Sequence, residues 1–262
     1  MLYYDQMNVV TKHLQAAYTP HKASPQQMTS DGQPTDEGRV CTAISPTNTN
    51  ASADNPDLGK SYTLRELKQR ADWDEWRQAR YTMLNSYQEQ GMFSEPMATP
   101  AEANIHHMLW RCVYKLCGTR KARMVCDGSA RQGTITLGHT FANSLDTTSE
   151  RLFWAVVAHK NLVAYGADVS NAFAEAPPPA HPLYLRIDDT FRDWWENHLH
   201  RPPIPKHHTV VKVNNAIQGH PESPRLWEKL IDRILKTIGF KPTTHEPCLY
   251  YGIIKGNYTL FL

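Results

Sequence analysis

Apolar residues recur at helical spacing in three parts of this chain. The first helix is predicted to begin at residues 63–66, where a threonine and a glutamate form a capping box, and its apolar stripe continues to Gly91. A second capping box at residues 147–150 precedes another apolar stripe, which we expect to cover a sheet. A third helix is predicted within residues 221–239, with prolines in its first turn and a glycine at its end.

Other stretches alternate between apolar and polar residues or are continuously apolar, and both patterns predict strands. Residues 105–115 and 121–126 are joined by a tight glycine-containing connection, so we expect them to form a hairpin. Residues 162–168 are rich in valine and alanine and are predicted to form a central buried strand that ends at Asp168. Shorter strands are predicted at residues 183–187, 209–213, 247–254 and 258–262, the last two joined by a turn at residues 255–257.

The first part of the chain differs from the rest in composition. Residues 1–60 are dominated by Pro, Thr, Ser, Asn and Gln, so we expect a disordered linker there and a folded domain over residues 61–262. Residues 188–208 are interpreted as an irregular insertion of unknown role, with Asp188 and Asp189 in a solvated turn. The predicted helices and strands indicate an α+β fold, a mostly antiparallel sheet covered by helices.

Composition and charge narrow the class of protein. The 262 residues carry a formal net charge of +2 and are 40% hydrophobic, which is enough for a sizeable core. Residues 106–131 hold six lysines and arginines against one aspartate, so the predicted hairpin can hold phosphates. The five cysteines form no Cys-x-x-Cys pair, and their odd number argues against a disulfide framework. No signal peptide or membrane-spanning run is visible, so we expect a soluble, unsecreted, cytoplasmic protein without a membrane partner.

Two short motifs are candidates for chemistry. Asp168, at the end of the predicted strand, is placed to bind a metal ion, although an aspartate at a strand end more commonly caps a turn. Phe173 follows a small alanine, so its flat ring can stand beside whatever Asp168 holds. Gln218 and Gly219 precede a helix; the glycine permits close backbone approach, and the simpler interpretation is ordinary turn chemistry.

Four blocks of residues carry a resemblance to a known family. They are Trp-Arg-Cys-Val-Tyr-Lys at 110–115, Lys-Ala-Arg-Met-Val at 121–125, Asp-Val-Ser-Asn-Ala-Phe at 168–173 and Glu-Pro-Cys-Leu-Tyr at 246–250. Together they resemble the reverse transcriptases of Ty1/copia-type LTR retrotransposons, and the resemblance covers residues 62–262. Gln218 departs from the tyrosine of most copia-type elements and looks more like retroviral enzymes. The resemblance implies right-hand polymerase fingers and an incomplete palm.

The resemblance also implies a metal site. Asp168 matches the first catalytic aspartate of the family, where it and the carbonyl of Val169 would bind Mg²⁺, and a complete enzyme would hold two such ions. In the family the remaining acids lie in an Asp-Asp hairpin tip after a strand that resembles residues 258–262. This chain ends before that tip, so we expect it to be inactive alone, and whether it is an enzyme by itself stays open.

Four further residues receive substrate-binding roles from the resemblance. Lys115 and Arg123 would clasp the triphosphate of an incoming deoxynucleotide. Phe173 would pack against the sugar and exclude a ribose 2′-hydroxyl, and Gln218 would position the sugar or base. Without the resemblance, an ordinary solvated hairpin is the preferred interpretation of the two cations.

The implied function is RNA-directed DNA synthesis within a retrotransposon polyprotein. Its partners would be an RNA/DNA template-primer, deoxynucleoside triphosphates and other parts of the polyprotein, in the cytoplasm, in virus-like particles or in the nucleus. One alternative is a non-catalytic nucleic-acid-binding remnant of a degenerate retroelement. Another is a structural or interaction protein in which Lys115 and Arg123 bind no phosphate.

Overall fold

The computed structural model describes residues 57–115, 117–129, 140–166, 168–254 and 256–262. The chain divides into two compact units, and the larger one comprises Asp57–Glu150 and Asn171–Leu262, while Arg151–Ser170 belongs to the smaller one. The predicted linker lies outside the described residues except for its last four. Those four are held in place, since the N–H of Gly59 donates to the carbonyl of Tyr114 at 2.7 Å.

The described residues form nine strands, six α-helices and one π-helix. In chain order these are β1 (Ser61–Tyr62), α1 (Leu64–Leu67), α2 (Trp73–Glu89), β2 (Met97–Ala98), β3 (Ile105–Tyr114), β4 (Arg120–Cys126), α3 (Thr147–His159), α4 (Ala172–Glu175), β5 (Leu183–Arg186), α5 (Asp189–Asp193), the π-helix (Trp194–His198), β6 (His208–Val213), α6 (Ser223–Thr237), β7 (Lys241–Pro242), β8 (Tyr250–Ile254) and β9 (Asn257–Phe261). Across this described part of the chain, no helix has both the length and the apolar character needed to cross a membrane.

The strands form two sheets. The larger sheet has the order β1-β3-β5-β6-β2, with β4 also paired to β3. Its pairs are antiparallel except that of β3 with β5, which is parallel. The smaller sheet, β7-β8-β9, is antiparallel and contains the predicted C-terminal hairpin. The described structure is therefore a mixture of helices and strands, and its assignment to polymerase fingers and palm stays a prediction.

The predicted basic hairpin is present as β3 and β4. Residues 108–114 of β3 pair with residues 120–126 of β4 in an unbroken antiparallel register. The connection is closed by the N–H of Lys115, which donates to the carbonyl of Thr119 at 2.8 Å. Buried and exposed side chains alternate along both strands, which gives the hairpin an inner face toward the core and an outer face toward solvent.

Helices α1 and α2 pack on the inner face of the hairpin. The predicted capping box at the start of α1 is confirmed. Trp76 of α2 is fully buried in a cluster with Leu67, Cys112 and Ala122. Arg120 of β4 points to the same side, where it donates to Asp72 at 2.9 Å and pairs with Glu75. A hydrogen bond from Arg70 is the main cause that lowers the pKa of Asp72 to about 2. An ionic cluster of Arg70, Asp72, Glu75 and Arg120 therefore lies at the edge of the apolar cluster around Trp76.

The segment at residues 188–208 is not an irregular insertion. It contributes α5 and the π-helix, and its aromatic side chains Phe191, Trp194 and Trp195 are buried in the largest core cluster. The indole N–H of Trp194 donates to Asn85 Oδ1 on α2 at 2.7 Å. The prolines that suggested irregular structure all follow the helical part of the segment. Composition averaged over the segment therefore concealed a helical core element.

Asp188 caps a helix and does not lie in a solvated turn. One carboxylate oxygen accepts from the N–H of Phe191 at 2.7 Å, and the other accepts from the indole N–H of Trp110 at 2.7 Å. Burial raises the pKa of Asp188, and the two hydrogen bonds oppose this effect. Asp189 beside it is exposed, so the two aspartates have different environments.

Residues 162–166 do not form the predicted central strand. They have neither helical nor strand structure, and the side chain of Val163 is 75% exposed. An apolar run becomes a strand only where a neighbouring strand completes its backbone hydrogen bonds. Periodicity cannot report whether such a neighbour exists, which is why the prediction was wrong.

Helix α3 differs from its prediction in two respects. Asp146 caps it in place of the predicted threonine, because its carboxylate accepts from the N–H groups of Thr148 at 2.9 Å and Ser149 at 3.1 Å. No residue of the helix is buried, and Trp154 is 50% exposed. The predicted capping box is therefore wrong. Aspartate is as strong an N-cap as serine or threonine, and it precedes the threonine by one residue.

Replacing Trp194 with alanine is expected to lower the free energy of unfolding by about 3–5 kcal/mol, because a fully buried indole and its hydrogen bond to Asn85 are lost. Urea denaturation followed by circular dichroism measures the change. Trp154→Ala is the matched control, since it removes the same atoms from a half-exposed site, and we expect a change below about 1 kcal/mol. Equal losses in the two variants would contradict a core role for this segment.

Candidate nucleotide site

Phe173 lies in the short helix α4, which side chains tie to the end of α2. Asn171 precedes α4 with a left-handed backbone (φ 50°), a conformation that asparagine tolerates better than most residues. Its side chain donates to Ser86 Oγ at 2.7 Å, and the amide of Gln90 donates to Glu175 at 2.7 Å. Phe173 itself is half-buried. Both ends of the helix that carries Phe173 are therefore fixed.

The segment that leads into Gln218 is fixed to the same helix. The side-chain amide of Asn215 donates to the carbonyl of Ala174 at 2.7 Å. One residue later, the N–H of Ala216 donates to the carbonyl of Ala176 at 2.9 Å. The backbone before the glutamine is thus bonded directly to the backbone after the phenylalanine.

Gln218 is also bonded to the end of β4. The N–H of Cys126 donates to the carbonyl of Gln218 at 2.7 Å. Gly219 has a φ of 94°, and a Cβ at this position would lie 2.1 Å from the carbonyl oxygen of Cys126. A Cβ at Gly128 would lie 2.2 Å from the carbonyl oxygen of Gly219. Only glycine fits at both positions, as predicted for Gly219 from the sequence. We call residues 126–128 and 218–219 the junction.

Two buried histidines lie beside the junction. His106 Nδ1 is 2.8 Å from the carbonyl oxygen of Asp127, so this nitrogen carries the proton and donates it. His220 Nδ1 accepts from the N–H of Glu222 at 3.3 Å, and the two histidine ring centroids are 5.8 Å apart. Burial lowers the pKa of His220, and the neighbouring Glu222 offsets only part of this effect. Both rings therefore pack beside the junction, and His220 resists protonation.

The two predicted phosphate-binding residues lie at different distances from the tip of the hairpin. Both Arg123 and Lys115 are exposed. Arg123 is three residues from Cys126, or about 10 Å along β4, so it is the nearer of the two to the junction. Lys115 follows β3 at the turn, at the far end of the hairpin. The larger unit thus brings Arg123, Phe173 and Gln218 onto segments joined by hydrogen bonds and leaves Lys115 further away.

Asp168 and Val169 belong to the smaller unit. Asp168 is exposed and Val169 is half-buried. No group of three or more His, Cys, Asp or Glu side chains that could hold a metal ion occurs among the described residues. Asp168 and the carbonyl of Val169 can therefore supply only part of a magnesium coordination shell, since magnesium demands near-octahedral oxygen ligands.

Several residues that shape this site were missed from the sequence. Asn171 and Asn215 bond distant backbone and side-chain groups, and only the tolerance of asparagine for left-handed backbone hinted at Asn171. The pairing of His106 with His220 joins parts of the chain that no local pattern connects. The requirement for glycine at position 128 cannot be predicted locally, because the clash that a Cβ would make there is with the carbonyl oxygen of Gly219.

Gly219→Ala is expected to lower the free energy of unfolding by more than about 3 kcal/mol, because it combines left-handed backbone strain with a backbone clash at Cys126. Gly91→Ala is the control: its φ is 64°, and nothing lies within 4 Å of the added Cβ. That variant is expected to lose only the strain, about 1–2 kcal/mol. Urea unfolding of both variants gives the energetic cost of the clash as the difference between their losses in free energy of unfolding. Identical losses would contradict the close backbone approach at the junction.

The stability of the protein is expected to fall as the pH drops below about 6.5, the ordinary pKa of histidine, because the unfolded chain protonates His220 more readily than the folded chain does. Urea midpoints measured at a series of pH values between about 7.5 and 5 test this. His220→Gln keeps a polar side chain but cannot titrate, so its midpoint should depend less on pH in this range. An unchanged pH dependence in the variant would show that His220 is not responsible.

Comparisons with known proteins include a similarity to a retroelement polyprotein. No protein-family model matches the chain, and no solved structure matches it significantly. A retrovirus-related Pol polyprotein from transposon TNT 1-94 of Nicotiana tabacum is 25% identical over 142 residues, which cover 54% of this chain. The matched part spans 10% of the tobacco polyprotein. The similarity supports a retroelement origin for this chain.

Proposed function

We propose that this chain is a nucleotide-binding and template-binding region of a retrotransposon reverse transcriptase, an RNA-directed DNA polymerase. The observation that carries the proposal is the junction, which joins the end of the basic hairpin to the Gln218 segment. The same segment is bonded to the helix of Phe173. The basic hairpin, the segment of Gln218 and the helix of Phe173 are thus joined by hydrogen bonds. They carry cations, an amide and an aromatic ring, which are the groups that a nucleotide needs for its phosphates, base and sugar.

The individual roles follow from the chemistry of the side chains. Arg123 offers a planar fork of N–H donors for a phosphoryl group, and Lys115 offers a point charge for the far end of a triphosphate. Phe173 presents a flat apolar surface to a deoxyribose and leaves no partner for a 2′-hydroxyl. The amide of Gln218 both donates and accepts, which suits a sugar hydroxyl or a base edge.

Magnesium is part of this proposal. Two bound ions stabilise the attacking and leaving oxygens when a phosphoryl group is transferred. Asp168 and the carbonyl of Val169 would contribute oxygen ligands, and nucleotide phosphates and further carboxylates would complete the shell. The described residues alone do not complete it.

The test is equilibrium binding of a deoxynucleoside triphosphate to the protein on an RNA template with a DNA primer, with and without Mg²⁺. We expect template-directed binding that requires Mg²⁺, and Asp168→Asn should remove the magnesium-dependent part. Phe173→Ala should lower the preference for deoxynucleotides over ribonucleotides by about 10-fold to 100-fold, because the steric exclusion is lost.

Two controls separate the outcomes. Phe153→Ala removes an equal ring from α3 and should leave the nucleotide preference unchanged. Template-primer binding without any nucleotide binding would reject the polymerase proposal in favour of a non-catalytic nucleic-acid-binding protein. Failure to bind either ligand would favour a structural or interaction role.

A further inference from the structure

Two arginines face each other across the hairpin. Arg111 of β3 and Arg123 of β4 are direct partners in the antiparallel register. Both side chains are exposed, and both alternate with buried neighbours such as Cys112 and Met124. Directly opposed residues of an antiparallel pair share a face and have Cβ atoms about 4.5–5.5 Å apart. The two guanidinium groups therefore extend from neighbouring points on the outer face.

This arrangement is unfavourable by itself. Like charges directly opposite each other destabilise a strand pair. Within the described ranges, no carboxylate forms an ion pair with Arg111 or Arg123. Arg120, on the inner face of the same strand, pairs with both Asp72 and Glu75. The hairpin thus neutralises its inner arginine, Arg120, and leaves two outer arginines directly opposite each other.

The register also separates this pair from Lys115. Lys115 is four residues beyond Arg111, or about 13 Å along an extended strand. Arg111 is therefore the nearer partner of Arg123 for a single phosphoryl group. Toward the junction the next pair on the outer face is apolar, with Leu109 opposite Val125. An anion at the arginines would thus have an apolar surface on the side that leads to Gln218.

We propose that Arg111 and Arg123 together bind one phosphoryl group of a phosphate ester, with Arg111 as a binding residue equal in importance to Arg123. The inference rests on the proposed nucleotide site and adds a residue to it. The ligand neutralises two like charges at once, and its organic part lies over the apolar pair toward the junction. A nucleoside triphosphate and the phosphodiester backbone of a nucleic acid both offer this chemistry.

The test compares Arg111→Ala, Arg123→Ala and the double variant in binding inorganic tripolyphosphate and a single-stranded deoxyoligonucleotide. Each single variant should bind about 10-fold to 100-fold more weakly, as expected for one lost charge-assisted contact. The double variant should bind only slightly more weakly than either single variant, because both arginines hold the same group. Arg65→Ala is the matched control, since Arg65 is an exposed arginine on α1, and α1 packs against the inner face.

Thermal stability separates binding from folding. Removing either arginine should leave the melting temperature unchanged or raise it, because the repulsion between the pair disappears. A weaker tripolyphosphate interaction alone assigns the pair to a nucleotide, and a weaker oligonucleotide interaction alone assigns it to a nucleic-acid backbone. Wild-type affinity in Arg111→Ala together with a loss in Arg123→Ala overturns this inference and leaves the proposed function intact. Failure of the wild-type protein to bind either probe overturns both.

Discussion

The larger unit depends on one close approach of two backbones, at Cys126 and Gln218. Contacts of this kind are decided by sterics, since the space that a Cβ would occupy is filled by a carbonyl oxygen on each side of the junction. The hairpin meets the glutamine segment there through main-chain groups, and residues 215 and 216 of the same segment bond the helix of Phe173. Their relative positions are therefore set by the chain path, and side chains such as Gln218 and Phe173 remain available for chemistry.

The hairpin shows how the same residue type serves two purposes on two faces. On the inner face, Arg120 forms ion pairs with Asp72 and Glu75. Its guanidinium group also lies over the ring of Tyr114, so its charge is neutralised within the protein. On the outer face, Arg111 and Arg123 oppose each other without an acid in the described part of the chain. Net charge alone cannot distinguish these situations, because a window of sequence counts all three arginines equally. The register of the hairpin makes the distinction.

Local signals in the sequence predicted local structure well. The hairpin at β3 and β4, the capping box of α1 and the need for glycine at position 219 follow from alternation, side-chain chemistry and backbone freedom. The failures share a different cause. Residues 162–166 were predicted as a buried strand from apolar character alone, and strand formation depends on a partner elsewhere in the chain. The prediction of a solvated Asp188 fails for the same reason. Its carboxylate accepts a hydrogen bond from the indole N–H of Trp110, a residue far away in the sequence.

The sequence named candidate site residues, but it did not show which of their segments are bonded to one another. Gln218 and Arg123 could be named from the sequence. The hydrogen bond that joins the Gln218 carbonyl to the strand of Arg123 at Cys126 could not, because a bond between distant main-chain groups leaves no residue signature. For the same reason, the support that Asn171 and Asn215 give to the helix of Phe173 was invisible. Residue identity thus indicated the chemistry, and tertiary contacts decided which groups are neighbours.

The continuity of β3 limits how this protein can move. The strand is unbroken from Ile105 to Tyr114; its first residues belong to the sheet with β5, and its later residues form the hairpin with β4. Hinges absorb large backbone rotations at loops and element ends, and an uninterrupted strand has no such point within it. The hairpin is therefore expected to move with the sheet as one rigid body, or to bend only near its tip. Any closure around a ligand would then come from the long arginine side chains and the turn at Lys115, with the base of the hairpin held still.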